Sequence, residues 1–191
     1  MSRRSLDKAA ILQAAIELAD DMGLEQVTLS SLAQRLGIKS PSLYNHIDGM
    51  QGLRRELALH GLQLLCDAMT RASVGKAGEK ALFSIGIAYV AFVREHPGLY
   101  EATQPAPDQV DEELIAASRR IVQLLLDVLD EYQLERGDAL HIVRGLRSML
   151  HGFASLELRG GFGLKLDTDE SLARMLRTYL SGVERQARSA D

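Results

Sequence analysis

The side chains of this sequence that could do chemistry on a partner are concentrated in residues 28–47, TLSSLAQRLGIKSPSLYNHI. Lys39 offers a cation, Ser40 and Ser42 offer hydroxyls, Asn45 and His46 offer amide and ring nitrogens, and Tyr44 offers a ring with a hydroxyl. Those groups suit phosphate oxygens and the base edges of a DNA major groove. A face that is merely solvated is usually rich in Lys and Glu, and this one is polar but almost uncharged.

Other constellations fall short of a reactive site. His141 and His151 lie ten residues apart with no carboxylate at ligand spacing, so no metal centre is predicted. Cys66 is the one cysteine, which rules out an internal disulfide and a cysteine-based metal site; it reads as packing. Asp20-Asp21 and Glu112-Glu113 read as solvated or capping charges, and no Gly-rich phosphate loop succeeds a strand. Catalytic residues and cofactors are not expected, and neither is an enzyme.

The elements that must position 28–47 can be read from spacing. Residues 6–22 repeat apolar positions at Ile11, Ala15, Leu18, Ala19 and Met22, one face of a helix, and Gly23 closes it. Thr28 stands at the N-cap of a second helix carrying Leu29, Leu32, Ala33 and Leu36, and Gly37 ends it. Ser40 is expected to cap a third helix with Pro41 at its first position. Ala33 is small where two helices would cross, Gly37 permits a tight turn, and Ile38 plugs the angle between them. Leu32, Leu36, Leu43 and Ile47 then form a shared core beneath an outward polar face, the layout of a helix-turn-helix. An ordinary helical hairpin within a bundle has the same spacing and stays open as an alternative.

Asp48-Gly49 breaks the third helix, and a fourth, over residues 50–72, is expected to bury Leu53, Leu57, Leu64 and Leu65. Gly75 and Gly78 mark a linker. Residues 81–93 are apolar nearly all round, as in a centrally buried helix, and His96-Pro97-Gly98 stops them. Further helices are expected over 111–132, over 136–159 and from about Asp167, whose acidic first turn suits the helix dipole. No strand pattern appears. The expected fold is all-α with eight or nine helices: a helix-turn-helix head at 1–50, the connecting helix 50–72, and a ligand-binding and dimerisation domain at 73–191.

Composition agrees, with 46% hydrophobic and 25% charged residues and no tryptophan. A net charge of −4 at first argues against a nucleic-acid partner. Residues 1–60, however, hold seven basic and seven acidic side chains, so the whole deficit lies beyond them. No apolar run is long enough for a bilayer, and the start lacks the apolar core of a secretory signal, so the cytoplasm is expected and no membrane partner.

These residues resemble a known family. Thr28-Leu29-x-x-Leu32-Ala33-x-x-Leu36-Gly37-Ile38-x-x-x-x-Leu43-Tyr44-x-His46-Ile47, preceded by Ile11-Leu12-x-Ala14-Ala15-x-x-Leu18, is similar to the N-terminal domain of the TetR family of bacterial regulators. The resemblance implies DNA-facing positions at Arg3, Thr28, Lys39, Ser40, Ser42, Leu43, Tyr44, Asn45 and His46. Met50 stands where the family usually carries Lys, which removes one charge contact and implies a slightly weaker salt dependence. Tyr89-x-x-Phe92-x-x-x-His96-Pro97-x-Leu99-Tyr100 and Leu150-His151-Gly152-Phe153-x-x-Leu156-Glu157 resemble the WHG-type ligand-binding domain of a TetR subgroup, with Leu150 in place of its Trp.

A head of about 45 residues buries little and reads one half-site, so a homodimer on a palindromic operator of double-stranded DNA is expected. The pairing surface is expected on the last two helices, at Ile142, Leu146, Met149, Leu150, Phe153, Leu172, Leu176, Tyr179, Leu180 and Val183. Beside it runs a stripe of small residues, Gly145, Ser148, Gly152 and Ser155. The alternative is that these faces fill the monomer's own core. A pocket for a small, mainly apolar effector is expected among Leu65, Met69, Phe83, Ile87, Tyr100, Val122 and Phe153, with Tyr100, His96 and His151 as polar anchors; plain core packing is the alternative for each. A ligand-responsive repressor results. An activator without an inducer, or an all-α enzyme or adaptor that does not bind DNA, are the rival readings.

Overall fold

The computed structural model describes residues 7–106, 108 and 110–188, so Arg3 lies outside the described residues. Among the described residues there are eight α-helices, three 3-10 turns and no strand. The helices are α1 (Lys8–Met22), α2 (Leu29–Leu36), α3 (Gly49–Ser73), α4 (Gly78–Glu95), α5 (Pro97–Ala102), α6 (Glu112–Leu129), α7 (Arg136–Leu158) and α8 (Thr168–Arg188). No helix of the described residues is long and apolar enough to cross a membrane.

The chain forms two compact units, divided otherwise than at residues 50 and 73. The first runs up to Gln63 and takes in Glu95–Ile115; the second comprises Leu64–Arg94 and the chain from Ala116 onward. The connecting helix α3 therefore contributes to both.

In the first unit, Asp7 caps α1 by accepting from the Ala10 amide at 2.8 Å. Ile11, Ala15, Leu18 and Ala19 are buried as their spacing predicts, whereas Met22, expected on the same face, is 52% exposed at the helix end. Gly23, at φ 89°, turns the chain into the 3-10 turn Leu24–Gln26. The His96-Pro97-Gly98 stop is also the start of α5, an element that composition does not reveal. Gly98 of α5 lies so close to α1 that a Cβ there would overlap the Ala19 carbonyl. Gly61 of α3 similarly leaves room for the Leu99 carbonyl and the Thr103 side chain. Arg55 of α3 holds Asp111 through two hydrogen bonds, 2.6 and 2.9 Å, and Glu113 at 2.9 Å.

The second unit is built from α4, α6, α7 and α8. Gly86 of α4 meets the Leu176 side chain of α8, where a Cβ would sit 2.6 Å from a methyl. Tyr179 of α8 packs on Gly145 of α7 and donates its hydroxyl to the Ile142 carbonyl at 2.7 Å. Arg94 binds Glu157 through two bonds, 2.7 and 2.8 Å, and also pairs with Asp169.

This packing corrects the expected dimer surface. Ile142, Leu146, Leu150, Phe153, Leu172, Leu176, Leu180 and Val183 are buried within this one chain. Only Met149 and Tyr179 of the expected surface stay half-exposed. The apolar stripes of α7 and α8 are consumed by the core of their own unit, the outcome that spacing alone leaves open.

The contacts at Gly98 and at the two arginines can each be tested. Gly98→Ala forces backbone apart at the α1–α5 crossing and is expected to cost about 3 kcal/mol in urea unfolding. The hydrogen bonds from Arg94 hold the Glu157 carboxyl below its usual range, and those from Arg55 do the same for Asp111. A depressed carboxylate stabilises the fold above its unfolded pKa, and that contribution is lost as pH falls through the folded value. Helicity followed against urea is therefore expected to hold steady from pH 7 to about 5 and to weaken progressively below about 4. Arg94→Met flattens that slope.

Candidate nucleic-acid interface

Thr28 takes the N-cap of α2, as its position predicts, and does so within a reciprocal pair. The Ser31 amide donates to Thr28 Oγ1 at 3.0 Å, and the Thr28 amide donates to Ser31 Oγ at 2.9 Å. That capping box occupies the Thr28 hydroxyl, which the family pattern also assigns to DNA. Ser31 is a functional cap that spacing did not single out, although a polar residue three places after a Thr cap is its signal.

Gly37 ends α2 in the left-handed region, φ 66° and ψ 31°. The Ile38 amide then donates back to the Ala33 carbonyl at 3.0 Å, tightening the turn. Ser40–Asn45 is next, and it forms a 3-10 turn where an α-helix was expected. Lys39, not Ser40, occupies its N-cap position, and no side chain caps it.

The turn separates its residues sharply. Leu43 is fully buried and Ile47 nearly so, in the same core as Leu32 and Ala33. Leu43 therefore cannot face DNA: the resemblance assigns it a contact position that its burial excludes. Tyr44, adjacent in sequence, is 62% exposed. Lys39 and Asn45 are exposed, and Ser40, Ser42 and His46 are half-buried. Thr28, at the start of α2, is exposed as well.

Charge placement singles out Lys39. Arg35 is held by Glu17 and Asp21, each at 3.2 Å, and those hydrogen bonds raise its pKa. Lys8 pairs with Glu56 at 2.8 Å, Arg54 with Glu25 at 3.8 Å, and Arg55 is bound to Asp111. Lys39 makes no ion pair with any described residue, so its ammonium is uncommitted beside the polar turn. Met50 is half-buried and Gln51 exposed at the start of α3, and neither supplies the missing cation.

The expected effector-pocket residues do not share one unit. Leu65, Met69, Phe83, Ile87, Val122 and Phe153 belong to the second, but Tyr100 lies on α5 in the first. Leu65, Met69, Phe153 and Tyr100 are buried, Phe83 and Val122 half-buried, and Ile87 is exposed. The Arg177 guanidinium covers the Phe83 ring at 5.6 Å. Hollows of about 240 Å³ occur beside the 3-10 turn Asp130–Tyr132 and within the loop between α7 and α8, and none of the seven lines either. Burial, with Arg147 and Arg159 nearby, lowers the pKa of His151 and favours a neutral ring.

Comparison with known proteins adds to this geometry. Residues 11–57 match the family described as bacterial regulatory proteins, tetR family, and residues 82–179 match the tetracyclin repressor-like C-terminal domain. The chain is 40% identical over 183 residues to the uncharacterized HTH-type transcriptional regulator YobS of Bacillus subtilis, covering 95% of this chain and 94% of that one. It is 32% identical over 182 residues to an uncharacterized HTH-type transcriptional regulator of Mycobacterium tuberculosis, covering 95% and 83%. Its fold is similar to that of a Rhodococcus protein of unknown function, with TM-score 0.80, 22% identity and coverage of 94% and 96%. It is also similar to a TetR from Acinetobacter baumannii, with TM-score 0.69, 17% identity and coverage of 96% and 99%.

Burial distinguishes the roles of two adjacent residues. Leu43→Ala is expected to cost about 3 kcal/mol of stability in urea titration, as a cavity in a small core does. Tyr44→Ala is expected to leave the melting curve within about 0.5 kcal/mol of the parent. In a gel shift the same Tyr44 variant loses specific DNA binding.

Proposed function

The chain belongs to the TetR family of bacterial regulatory proteins, and on that premise we propose that it is a ligand-responsive repressor that binds a palindromic operator as a homodimer. It is a DNA-binding transcriptional regulator of that family and not an enzyme. The observation that carries the reading is the division at residues 43 and 44, where a fully buried leucine anchors a turn whose neighbouring side chains are presented outward. Lys39 contributes an uncommitted cation to the phosphates, and Asn45, His46 and Tyr44 meet the groove.

One copy reads one half-site. Two copies related by a two-fold axis place their turns about 34–36 Å apart, in successive major grooves on one face of the duplex. Because the apolar stripes are spent, the pairing surface we propose is the neighbouring face of α7 and α8. Gly152 and Gly182 have nothing within 4 Å of where a Cβ would stand, and Leu156 is 52% exposed. Met149 and Met175 are half-buried. Small residues flanked by methionine let two helical faces approach closely.

The effector we propose is small and mainly apolar, taken up in the second unit among Leu65, Met69, Phe83, Val122 and Phe153. A Tetracycline repressor class C of Escherichia coli is 40% identical to this chain over 53 residues, 28% of this chain and 24% of that one. A ligand binds one conformation of the dimer better than the other and so shifts the population away from the DNA-competent form. A hundredfold release needs about 2.7 kcal/mol of differential affinity.

Two measurements check this. Size-exclusion chromatography with light scattering is expected to give a dimer, and Gly152→Arg to give monomers that bind operator at least about tenfold more weakly. DNA upstream of the chain's own gene is expected to be shifted in a gel. A panel of lipophilic compounds and acyl thioesters is expected to contain a member that releases it; an operator unmoved by every compound argues for a regulator without inducer.

A further inference from the structure

Helix α5 does not cap itself. Its N-cap residue, His96, makes no side-chain bond to the first turn, and Pro97 has no N–H to satisfy. The next two amides, Gly98 and Leu99, both donate to Asp20 Oδ1 on α1, each at 2.9 Å. Asp20 Oδ2 lies 3.0 Å from His96 Nδ1, the geometry of a ring N–H donating to a carboxylate. Asp20 thus does from a different helix what an N-cap side chain ordinarily does from its own. The contact is sheltered, with 16% of the Asp20 side chain and 29% of His96 left exposed.

The segment is held again at its far end, where Arg55 binds Asp111 through two hydrogen bonds. Asp111 also accepts from the Leu114 amide at 3.1 Å, at the start of α6. All these contacts lie inside the first unit. The chain nevertheless runs directly from the segment into the second unit at both ends, through α4 before it and α6 after it.

We infer that Asp20 couples the DNA-reading turn to the chain beyond it: by capping α5 it makes residues 95–115 move as one body with the helices that carry that turn, so that displacement arriving along α4 or α6 reaches them. Without that cap the segment is a connection that deforms at little cost and absorbs the displacement. The inference rests on the reading of the chain as a DNA-binding regulator. Coupling is reciprocal, so anything in the second unit that alters DNA affinity is itself altered by DNA. Operator DNA therefore serves as the probe, and no effector is needed.

The experiment is amide hydrogen exchange on the full chain, with and without a duplex selected from the source genome. In the parent protein DNA is expected to slow exchange in residues 8–63 and also, by about tenfold, in α4 and α6. Asp20→Ala is expected to bind the duplex within about threefold of the parent, to keep the protection of 8–63, and to lose that of α4 and α6. Asp20→Asn retains an acceptor oxygen for both amides and is expected to behave as the parent does, which a role for the charge alone would not allow. Arg55→Met opens the other end of the segment and is expected to give the same loss as Asp20→Ala. The inference is overturned if α4 and α6 remain protected in both Asp20→Ala and Arg55→Met. It is overturned equally if Asp20→Ala no longer folds and Arg55→Met keeps the full protection, because Asp20 would then be only a prop for α1. Failure of the parent chain to select any duplex defeats the regulator reading itself, a separate result.

Discussion

The constraint on which the structure depends is the smallness of the apolar core beneath the DNA-facing turn. α1, α2 and the turn Ser40–Asn45 together span about forty residues, a length at which a chain buries too little surface to be stable alone. Leu32, Leu43 and Ile47 are buried there, but α1 has a second face to cover. Gly98 and Leu99 of α5 cover it, close enough to Ala19 that only glycine fits at the crossing. The DNA-reading unit therefore includes a piece of chain from beyond α4, and its geometry cannot be separated from that piece.

Much of this is legible in the residues. Thr28 as a cap, Gly23 and Gly37 as helix ends, the extent of α3 and α7, the start of α8, and the all-α class emerge from spacing and capping chemistry, which act locally. The division of the chain is not legible, because it depends on which distant segments meet, and α5 is too short to show a period. Its signal, Pro97 at a first helical position after His96, reads in the sequence only as a stop. Asp20 reads there as a solvated or capping charge; it is a cap, but for a helix more than seventy residues away.

The interface residues divide in the same way. Periodicity places Leu43 in the core while the family pattern places it on DNA, and burial decides for the core. Tyr44, Lys39 and Asn45 are exposed because the turn is anchored by their apolar neighbour. In α7 and α8, periodicity correctly identifies apolar faces and cannot say which body they face. Phe153 illustrates the ambiguity: its position suits both a pocket and a dimer surface, and its ring lies 5.0 Å from that of Phe162 in the same chain.

The inclusion of residues 95–115 in the first unit also bears on synthesis at the ribosome. Proteins emerge amino end first, yet α1 waits for α5, and residues 23–96 must be translated in between. At about 5–20 residues per second that interval lasts several seconds. During it the bare side of α1, with Ala19 and its neighbours, is open to chaperones and to other nascent chains.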